Sequence, residues 1–245
     1  MTIAKLHNLN LPRLLIYLYL IAFSVPSAIA NEVKLQSFEA DYALYIAGLH
    51  AAKSTLTLSQ SDNLWRWQTR ARPRGIYRIF SAKKPYSETT FLLAADHYQI
   101  QSILLSDEVD KSLYETAQFD WQSGQASVLR KKITRSVAIS GDVFDYHSIN
   151  WLAAKMMLTG QTATVVDFYR KGELVKSAVT RAEDEDLEIG GRLISAIVYQ
   201  QSIANKQSEL RYFYDPARPL VPVKIEKIEP GKKTSVLILQ NVVWR

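Results

Sequence analysis

The sequence predicts a mainly β fold: a strongly curved antiparallel sheet, or an open β-barrel, with one main α-helix packed on its concave face. Most of the chain after residue 30 alternates apolar and polar residues with a period of two, the pattern of half-buried strands. The segments are short and are separated by tight turns, which favours antiparallel pairing. One segment near residue 150 has helical spacing instead, and a sheet face is the only large surface that could cover it.

The first 30 residues have the three parts of a secretory signal peptide. Residues 1–13 are basic and contain no acidic residue, residues 14–25 form an apolar run interrupted only at Ser24, and Ala28-Ile29-Ala30 supplies a small-x-small cleavage site. The run is shorter than the roughly 20 residues that span a bilayer. We therefore expect cleavage after Ala30, a periplasmic or secreted protein, and no transmembrane segment afterwards. The alternative is an uncleaved membrane anchor.

Composition narrows the classes of partner. The chain has no cysteine, so the expected first residue after cleavage cannot be acylated, and neither disulfides nor thiolate metal sites can form. Loss of Lys5 and Arg13 with the leader would change the net charge from +6 to +4, well short of a dedicated nucleic-acid binder. Residues 31–245 contain no convincing repeat or linker, and we expect one domain there.

Alternation starts at residue 38 and defines the inward faces of the first strands. In residues 38–46 and 50–58, apolar or small residues recur at every second position. Residues 64–72 then separate two kinds of side chain onto opposite faces of one strand. One face has Trp65, Trp67, Thr69 and Ala71, and the other has Arg66, Gln68, Arg70 and Arg72.

The later strands are marked by the same alternation and by turn residues between them. Residues 113–121 place Glu115 in phase with Ala117 and Phe119, and Ser123-Gly124 then indicates a turn into the next strand. Residues 164–180 read as two strands around Lys171-Gly172. Residues 192–201 and 208–214 indicate two more strands.

The helical segment is predicted roughly over residues 146 to 158. Its apolar positions have the i, i+3, i+4, i+7 spacing of an amphipathic helix. These positions are Ile149, Leu152, Ala153 and Met156. Asp145 is a candidate cap at the helix start and Gly160 a candidate end.

Three closely spaced prolines precede the last two strands. Asp215-Pro216 is typical of a turn, and the residue before each proline is held extended. Pro222 is expected at the first position of a strand, where its missing N–H is tolerated. Pro230-Gly231 turns the chain into residues 234–244. The prolines thus fix the register of the final hairpin.

Three features in this order resemble a family of exported bacterial proteins, domain of unknown function 3108. They are the tyrosine-rich strand ending at Gly48, the Asp145-x-x-Ser148 helix start followed by Gly160, and the run from Asp215 to Val223. Tyr-Phe-Tyr precedes Asp215 where such proteins often have a tryptophan. The resemblance implies a curved antiparallel sheet around a helix, similar in shape to LolA-like half-barrel lipoprotein carriers. It implies no established activity.

The sequence offers little support for catalysis or metal binding. There is no cysteine and no Gly-x-Ser-x-Gly elbow. Asp145, His147 and Ser148 are close in sequence, but at a helix start Asp145 and Ser148 are more simply caps than parts of a triad. The other histidines after the leader lie far apart, and the acidic run 183–188 lacks the spacing of a Ca²⁺ loop. We expect no catalytic residue, no metal and no cofactor.

Two groups of side chains are candidates for ligand contact. Arg66, Arg70 and Arg72 could contact anionic head groups, since arginine binds phosphate in a bidentate manner, or could simply form a polar outer face. Aromatic side chains could line an apolar cavity or build the core. They are Trp65, Trp67, Phe80 and Phe168, accompanied by Tyr42 and Trp244.

The favoured function is a non-catalytic protein that binds a lipid or other amphiphile in the hollow of the sheet. The alternative is a module that docks another envelope protein without a ligand, and a hydrolase is a third reading. No nucleic-acid partner is expected.

Overall fold

The structure is a computed structural model that describes residues 33–80, 83–94, 97–232 and 234–245. Of the side chains in these ranges, those of residues 79, 80 and 94 are not described. The expected signal peptide with its cleavage after Ala30, and the side chain of Phe80, therefore lie outside the described residues.

Within the described ranges the chain forms sixteen strands and two helices. The strands are β1 Phe38–Ile46, β2 Leu49–Ser61, β3 Leu64–Pro73, β4 Pro85–Ala94, β5 His97–Asp107, β6 Leu113–Asp120, β7 Gln125–Arg130, β8 Ile133–Ala138, β9 Val143–Phe144, β10 Ala163–Arg170, β11 Glu173–Arg181, β12 Glu185–Ile189, β13 Arg192–Ile203, β14 Glu209–Tyr214, β15 Pro222–Ile228 and β16 Ser235–Trp244. The helices are the short α1, Tyr77–Phe80, and the main helix α2, Ile149–Thr159. Neither helix has the length and hydrophobicity that a bilayer crossing requires.

The strands form one curved sheet that does not close. Its order is β8-β7-β6-β5-β4-β3-β2-β1-β16-β15-β14-β13-β11-β10-β9, and β12 pairs with β13 beside this path. Neighbours pair antiparallel except β9 and β10, which are parallel. The predicted fold class, a mainly antiparallel open barrel with one main helix, is confirmed.

The turn between β10 and β11 packs against β7, close to the other end of the sheet. Gly172 has φ +78°, and a Cβ there would lie 3.2 Å from Val128 Cγ1 and 3.3 Å from Arg130 Cδ. Only glycine combines this backbone conformation with so close an approach. Arg135 Nη1 of β8 also lies 3.4 Å from Glu173 Oε1 of β11. The sheet is therefore curled until its two ends are in contact without sharing a strand pair.

Helix α2 lies in the hollow of this sheet. Tyr214 of β14 donates a 2.9 Å hydrogen bond from its hydroxyl to Asn150 Oδ1, while the rings of Trp151 and Tyr98 of β5 lie 5.4 Å apart. Because β5 and β14 belong to opposite halves of the strand order, the helix is held from both sides. Gly160 ends it with φ 69° and donates its N–H to Met156 O.

A chain of aromatic rings connects the sheet to the helix. Phe38, Trp67, Phe91 and Tyr98 come from β1, β3, β4 and β5, and consecutive centroids are 5.7, 6.4 and 4.3 Å apart. Tyr98 then contacts Trp151. Aromatic pairs at such separations are favourable beyond the area that they bury. The predicted inward face of residues 64–72 is thus part of the core.

The prolines near the C-terminus lie, as predicted, at a turn and at the start of a strand. Asp215 Oδ1 accepts from the N–H of Ala217 at 3.0 Å, and the N–H of Arg218 donates to Asp215 O at 2.8 Å, which forms the turn. Pro222 is the first residue of β15. Its carbonyl accepts a buried 2.9 Å hydrogen bond from the Tyr42 hydroxyl, so β1 is tied to the start of β15.

Candidate functional site

A cavity of about 310 Å³ opens into the hollow beside the start of α2. Four strands and the segment before the helix supply its walls. They contribute Ser87 and Thr89 from β4, Ile103 and Leu105 from β5, Glu115 from β6, residues 145–147, and residues 169–171 at the end of β10. Since β6 and β10 lie near opposite ends of the strand order, the cavity exists only because the sheet curls.

The apolar wall follows from strand alternation. Ile103 and Leu105 are two residues apart in β5 and therefore face the same side. The neighbouring strand β4 presents the small residues Ser87 and Thr89 towards the cavity. Further along the same strand, the larger Phe91 fills the core instead. Small side chains beside branched aliphatic ones leave space that the helix does not occupy.

A hydrogen-bonded chain runs along the side of the cavity nearest the helix. The Thr89 hydroxyl donates to Asp145 Oδ2, and its oxygen lies 2.9 Å from His147 Nδ1. Because Thr89 uses its proton on Asp145, its oxygen accepts from His147, which places a proton on Nδ1. His147 Nε2 lies 2.9 Å from Thr69 Oγ1 and 3.3 Å from Ser87 Oγ, so both ring nitrogens lie next to hydroxyl groups.

Asp145 also caps the turn that leads into α2. Its Oδ1 accepts from the N–H groups of His147 and Ser148 at 3.1 and 2.8 Å and from the Ser148 hydroxyl at 2.8 Å. Burial alone would raise the pKa of Asp145, but hydrogen bonding to His147, the His147 charge, Thr89 and the Ser148 N–H together lower it. The carboxylate is thus ionised, and the cluster fixes the helix start to β3 and β4.

Two further polar residues border the cavity, and their polar atoms are enclosed by the protein. Glu115 is 2% exposed, and its Oε2 accepts a 2.7 Å hydrogen bond from Arg130 Nε. Tyr169 is 3% exposed, and its ring packs edge-on at 5.7 Å from Phe119. Within the described residues, Glu115 Oε1 and the Tyr169 hydroxyl make no hydrogen bond of regular geometry. Burial, followed by the charge of Glu115 and a hydrogen bond to its carboxylate, raises the pKa of Tyr169, so its hydroxyl keeps its proton at neutral pH.

The mouth of the cavity is basic. Arg170 Nε donates a 2.9 Å hydrogen bond to the hydroxyl of Tyr146, which is itself exposed. The positive charge of Arg170, followed by desolvation, lowers the pKa of the exposed Lys171.

Among the described residues, no group of three or more His, Asp or Glu side chains could hold a metal ion.

Comparison with known proteins gives the family. Residues 38–237 match the model described as protein of unknown function, DUF3108. The chain belongs to this family. The resemblance read from the sequence is therefore confirmed, and no curated protein matches the chain.

Solved structures share the architecture of this DUF3108 protein. A β-barrel-like protein of domain of unknown function DUF1849 from Brucella abortus is 11% identical, with a TM-score of 0.62 over 87% of this chain and 100% of its own. A protein from Bacteroides fragilis described as exported, with a YmcC-like fold, is 6% identical, with a TM-score of 0.34 over 86% of this chain and 97% of its own. A domain from Vibrio parahaemolyticus described as an outer membrane lipoprotein-sorting protein domain is 9% identical, with a TM-score of 0.23 over 88% of each chain. Only the first similarity is strong enough to support the fold.

The aromatic side chains proposed from the DUF3108 sequence lie in or against the core. Trp67 and Phe168 are 0% exposed, and Trp65 is partly buried against the same core. None of the three lines the cavity beside α2. Tyr42 is buried, and Trp244 packs on Phe38 at 5.2 Å. A ligand-lining role for these residues stays a prediction.

The arginines proposed for head-group contact lie on the opposite face of β3. Arg66 Nε is 3.7 Å from Glu88 Oε1, and Arg70 Nε donates to Glu108 Oε1 at 2.8 Å. Arg72 borders, together with Arg70, a separate hollow of about 260 Å³. Acidic partners offset part of the positive charge of this face, and contact with anionic head groups stays a prediction.

Glu115 and Tyr169 were not among the site residues predicted from the sequence. The signal for Glu115 was present, because it lies in phase with the apolar residues Ala117 and Phe119. A charged residue at an inward position usually needs a buried partner. Tyr169 carries no such signal, since a tyrosine within a strand is ordinary core material.

Proposed function

We propose that this DUF3108 protein is an exported, non-catalytic binding protein that holds an apolar or amphiphilic molecule in the hollow of its sheet. The cavity beside the start of α2 carries this proposal. Ligand sites are typically cavities of about 300–1,000 Å³ with mainly apolar walls and a few oriented polar groups. Here Ile103 and Leu105 supply the apolar wall, and the hydrogen-bonded hydroxyl and imidazole groups around His147 supply the polar ones.

The energetics favour an extended hydrocarbon chain. Each methylene moved from water into an apolar cavity contributes about 0.8 kcal/mol. A chain of about ten carbons therefore gives enough burial energy for measurable affinity, after the cost of association. Decan-1-ol and decanoate are suitable probes because they share a chain and differ in their head groups.

The arrangement around His147 supports a binding role rather than hydrolysis. Both ring nitrogens are occupied by hydroxyl groups of β3 and β4. Both oxygens of Asp145 are also engaged, one by the helix cap and one by Thr89. A general base for catalysis needs a nitrogen free to take a proton from a nucleophile or water beside the substrate.

Filling the cavity should weaken binding. Leu105→Trp places an indole in the apolar wall, and we expect isothermal titration calorimetry to show at least about tenfold weaker binding of decan-1-ol or decanoate, a loss of about 1.4 kcal/mol. Leu104→Trp is the matched control, because Leu104 is adjacent in β5 and faces the other side. Its affinity should stay within about twofold of wild type. Absence of binding by wild type to both probes, or equal effects of the two variants, would overturn the proposal.

Export is supported by the leader-like first 30 residues. Expression of the whole chain in a bacterium should give a periplasmic protein whose intact mass begins at Asn31. A protein that keeps its first residues and sediments with membranes would instead indicate an uncleaved anchor.

The free sheet edges favour docking of another envelope protein as a second function. In the described residues β8 pairs only with β7, and β9 covers only Asp167 and Phe168 of β10. Ile133 of β8 is 62% exposed and Val165 of β10 is 66% exposed. An exposed edge offers unpaired backbone groups to an added strand. A protein that binds neither probe but captures a strand-forming partner at these edges would favour this reading.

A further inference from the structure

The mouth of the cavity beside α2 has positive charge that the described part of the protein does not neutralise. Arg170 and Lys171 border the cavity at the end of β10, and Lys171 is exposed. Within the described residues neither of them forms a salt bridge with an acidic side chain. The acid of the same turn, Glu173, is directed instead at Arg135 of β8, with its Oε1 3.4 Å from Nη1. Two cations without an acidic partner therefore lie beside an apolar cavity.

Local packing holds these two cations in place. Gly172 of the β10–β11 turn packs against β7, which fixes the turn. Arg170 Nε donates a 2.9 Å hydrogen bond to the hydroxyl of Tyr146, whose ring packs edge-on at 5.0 Å from Phe168. In the described chain this contact leaves both Nη groups of Arg170 and the Nζ of Lys171 available to an anion, and arginine binds carboxylates and phosphates through such paired donors.

The neighbours of Lys171 add to the positive charge of the mouth. Arg170, followed by desolvation and then by the charges of Arg130, Lys206 and Lys227, lowers the pKa of Lys171. All of the charged groups that cause this shift are cations. An anion at the mouth relieves their mutual repulsion, because an opposite charge stabilises the charged form of each group.

The enclosed part of the cavity wall has the opposite charge. Asp145 is buried and ionised, and Glu115 is buried with its Oε2 bonded to Arg130. A negative head group is therefore repelled from the interior and attracted to the mouth. The apolar wall of Ile103 and Leu105 remains for a hydrocarbon chain that points inwards.

We propose that the mouth binds the anionic head group, a carboxylate or a phosphate, of a single-chain amphiphile whose hydrocarbon chain lies along Ile103 and Leu105. Arg170 and Lys171 contact the head group. The Tyr146 hydroxyl, which accepts from Arg170, has its own proton to donate to the same anion. This inference rests on the proposed binding function and names its ligand class.

Head-group preference tests the inference. At about pH 7.5 and about 20 mM salt decanoate is ionised, and calorimetry with purified wild type should show it binding at least about fivefold more tightly than decan-1-ol. Raising the salt to about 500 mM should remove most of this preference, because exposed charges are screened. Inorganic phosphate alone should bind far more weakly than decanoate, since it buries no chain.

Two variants remove the charges of the mouth one at a time. Lys171→Gln and Arg170→Gln should each weaken decanoate binding by about three- to fivefold and leave decan-1-ol binding within about twofold of wild type. Lys111→Gln is the matched control. Lys111 is also exposed in a turn with positive φ, 57° against 51° for Lys171, but it does not line this cavity. Because Lys171 is exposed, Lys171→Gln remains decisive should Arg170→Gln fail to fold.

The outcomes separate this inference from the function on which it rests. If wild type binds neither decanoate nor decan-1-ol, the binding function itself is wrong. If decan-1-ol binds as tightly as decanoate, or if Lys171→Gln and Lys111→Gln have equal effects, the binding function stands and the anionic head group is wrong. Inorganic phosphate that bound as tightly as decanoate would show that the mouth takes a free anion, which would overturn the amphiphile class.

Discussion

Replacement of Trp67 by alanine is expected to lower the free energy of unfolding by about 3–5 kcal/mol. The indole is 0% exposed, and its ring lies 5.7 Å from Phe38 and 6.4 Å from Phe91. Removing it leaves a cavity where β1, β3 and β4 meet, and the aromatic chain to the helix is broken. Urea denaturation followed by fluorescence or circular dichroism measures the loss, which is a large share of the stability of a typical domain.

Trp65→Ala is the matched control, because Trp65 lies on the same face of the same strand and is only partly buried. Its cost should be clearly smaller, since less of the indole leaves an apolar environment. Equal costs for the two variants would contradict this view of the core. A ligand-lining role for Trp67 would show differently, as weaker decan-1-ol binding by the folded Trp67→Ala protein.

The strands could be predicted because their signal is local. Residues 38–46 alternate clearly, and β1 spans Phe38–Ile46. Turn residues marked the β10–β11 hairpin and the start of β15 equally well. The main helix was predicted from residue 146, but it begins at Ile149 because the Asp145 carboxylate holds the preceding residues in a separate capped turn.

The pairing of distant strands could not be predicted from one sequence. β1 pairs with β16, so the two ends of the described chain meet in the middle of the sheet. The salt bridges of Arg66 and Arg70 could not be predicted either, because their partners Glu88 and Glu108 come from β4 and the turn after β5. Alternation gives the face of a side chain, whereas its cross-strand neighbour depends on register and strand order.

The candidate site was hidden for the same reason. Its walls combine β4 and β5 with β6 and β10, and these meet only because the sheet curls around α2. Asp145 and Ser148, interpreted as caps, do bond to each other at the start of the helix. The bonds of Asp145 and His147 to Thr89 and Thr69, which make the cluster a link between the helix and the sheet, needed the fold.

Asp145→Asn should be the other strongly destabilising change, with an expected loss of about 3–5 kcal/mol at pH 7. The substitution removes the negative charge that His147, Thr89 and the Ser148 N–H stabilise in a buried place. Asp120→Asn is the matched control. Asp120 Oδ1 accepts from the N–H groups of Gln122 and Ser123 at 3.0 and 3.2 Å, but in an exposed turn, and its loss should matter little.

The pH dependence of that loss tests its electrostatic origin. The pKa of Asp145 is lowered in the folded protein, so its carboxylate binds protons more weakly there than in the unfolded chain. Its stabilising contribution is therefore complete above the unfolded pKa of about 3.9 and disappears as the pH falls through the folded pKa. Urea unfolding at a series of pH values should give a constant difference in free energy of unfolding between wild type and Asp145→Asn from about pH 7 to 5. The difference in free energy of unfolding should then narrow towards pH 3. A difference that widened on acidification would mean that folded Asp145 is neutral and that packing, not charge, joins the helix to the sheet.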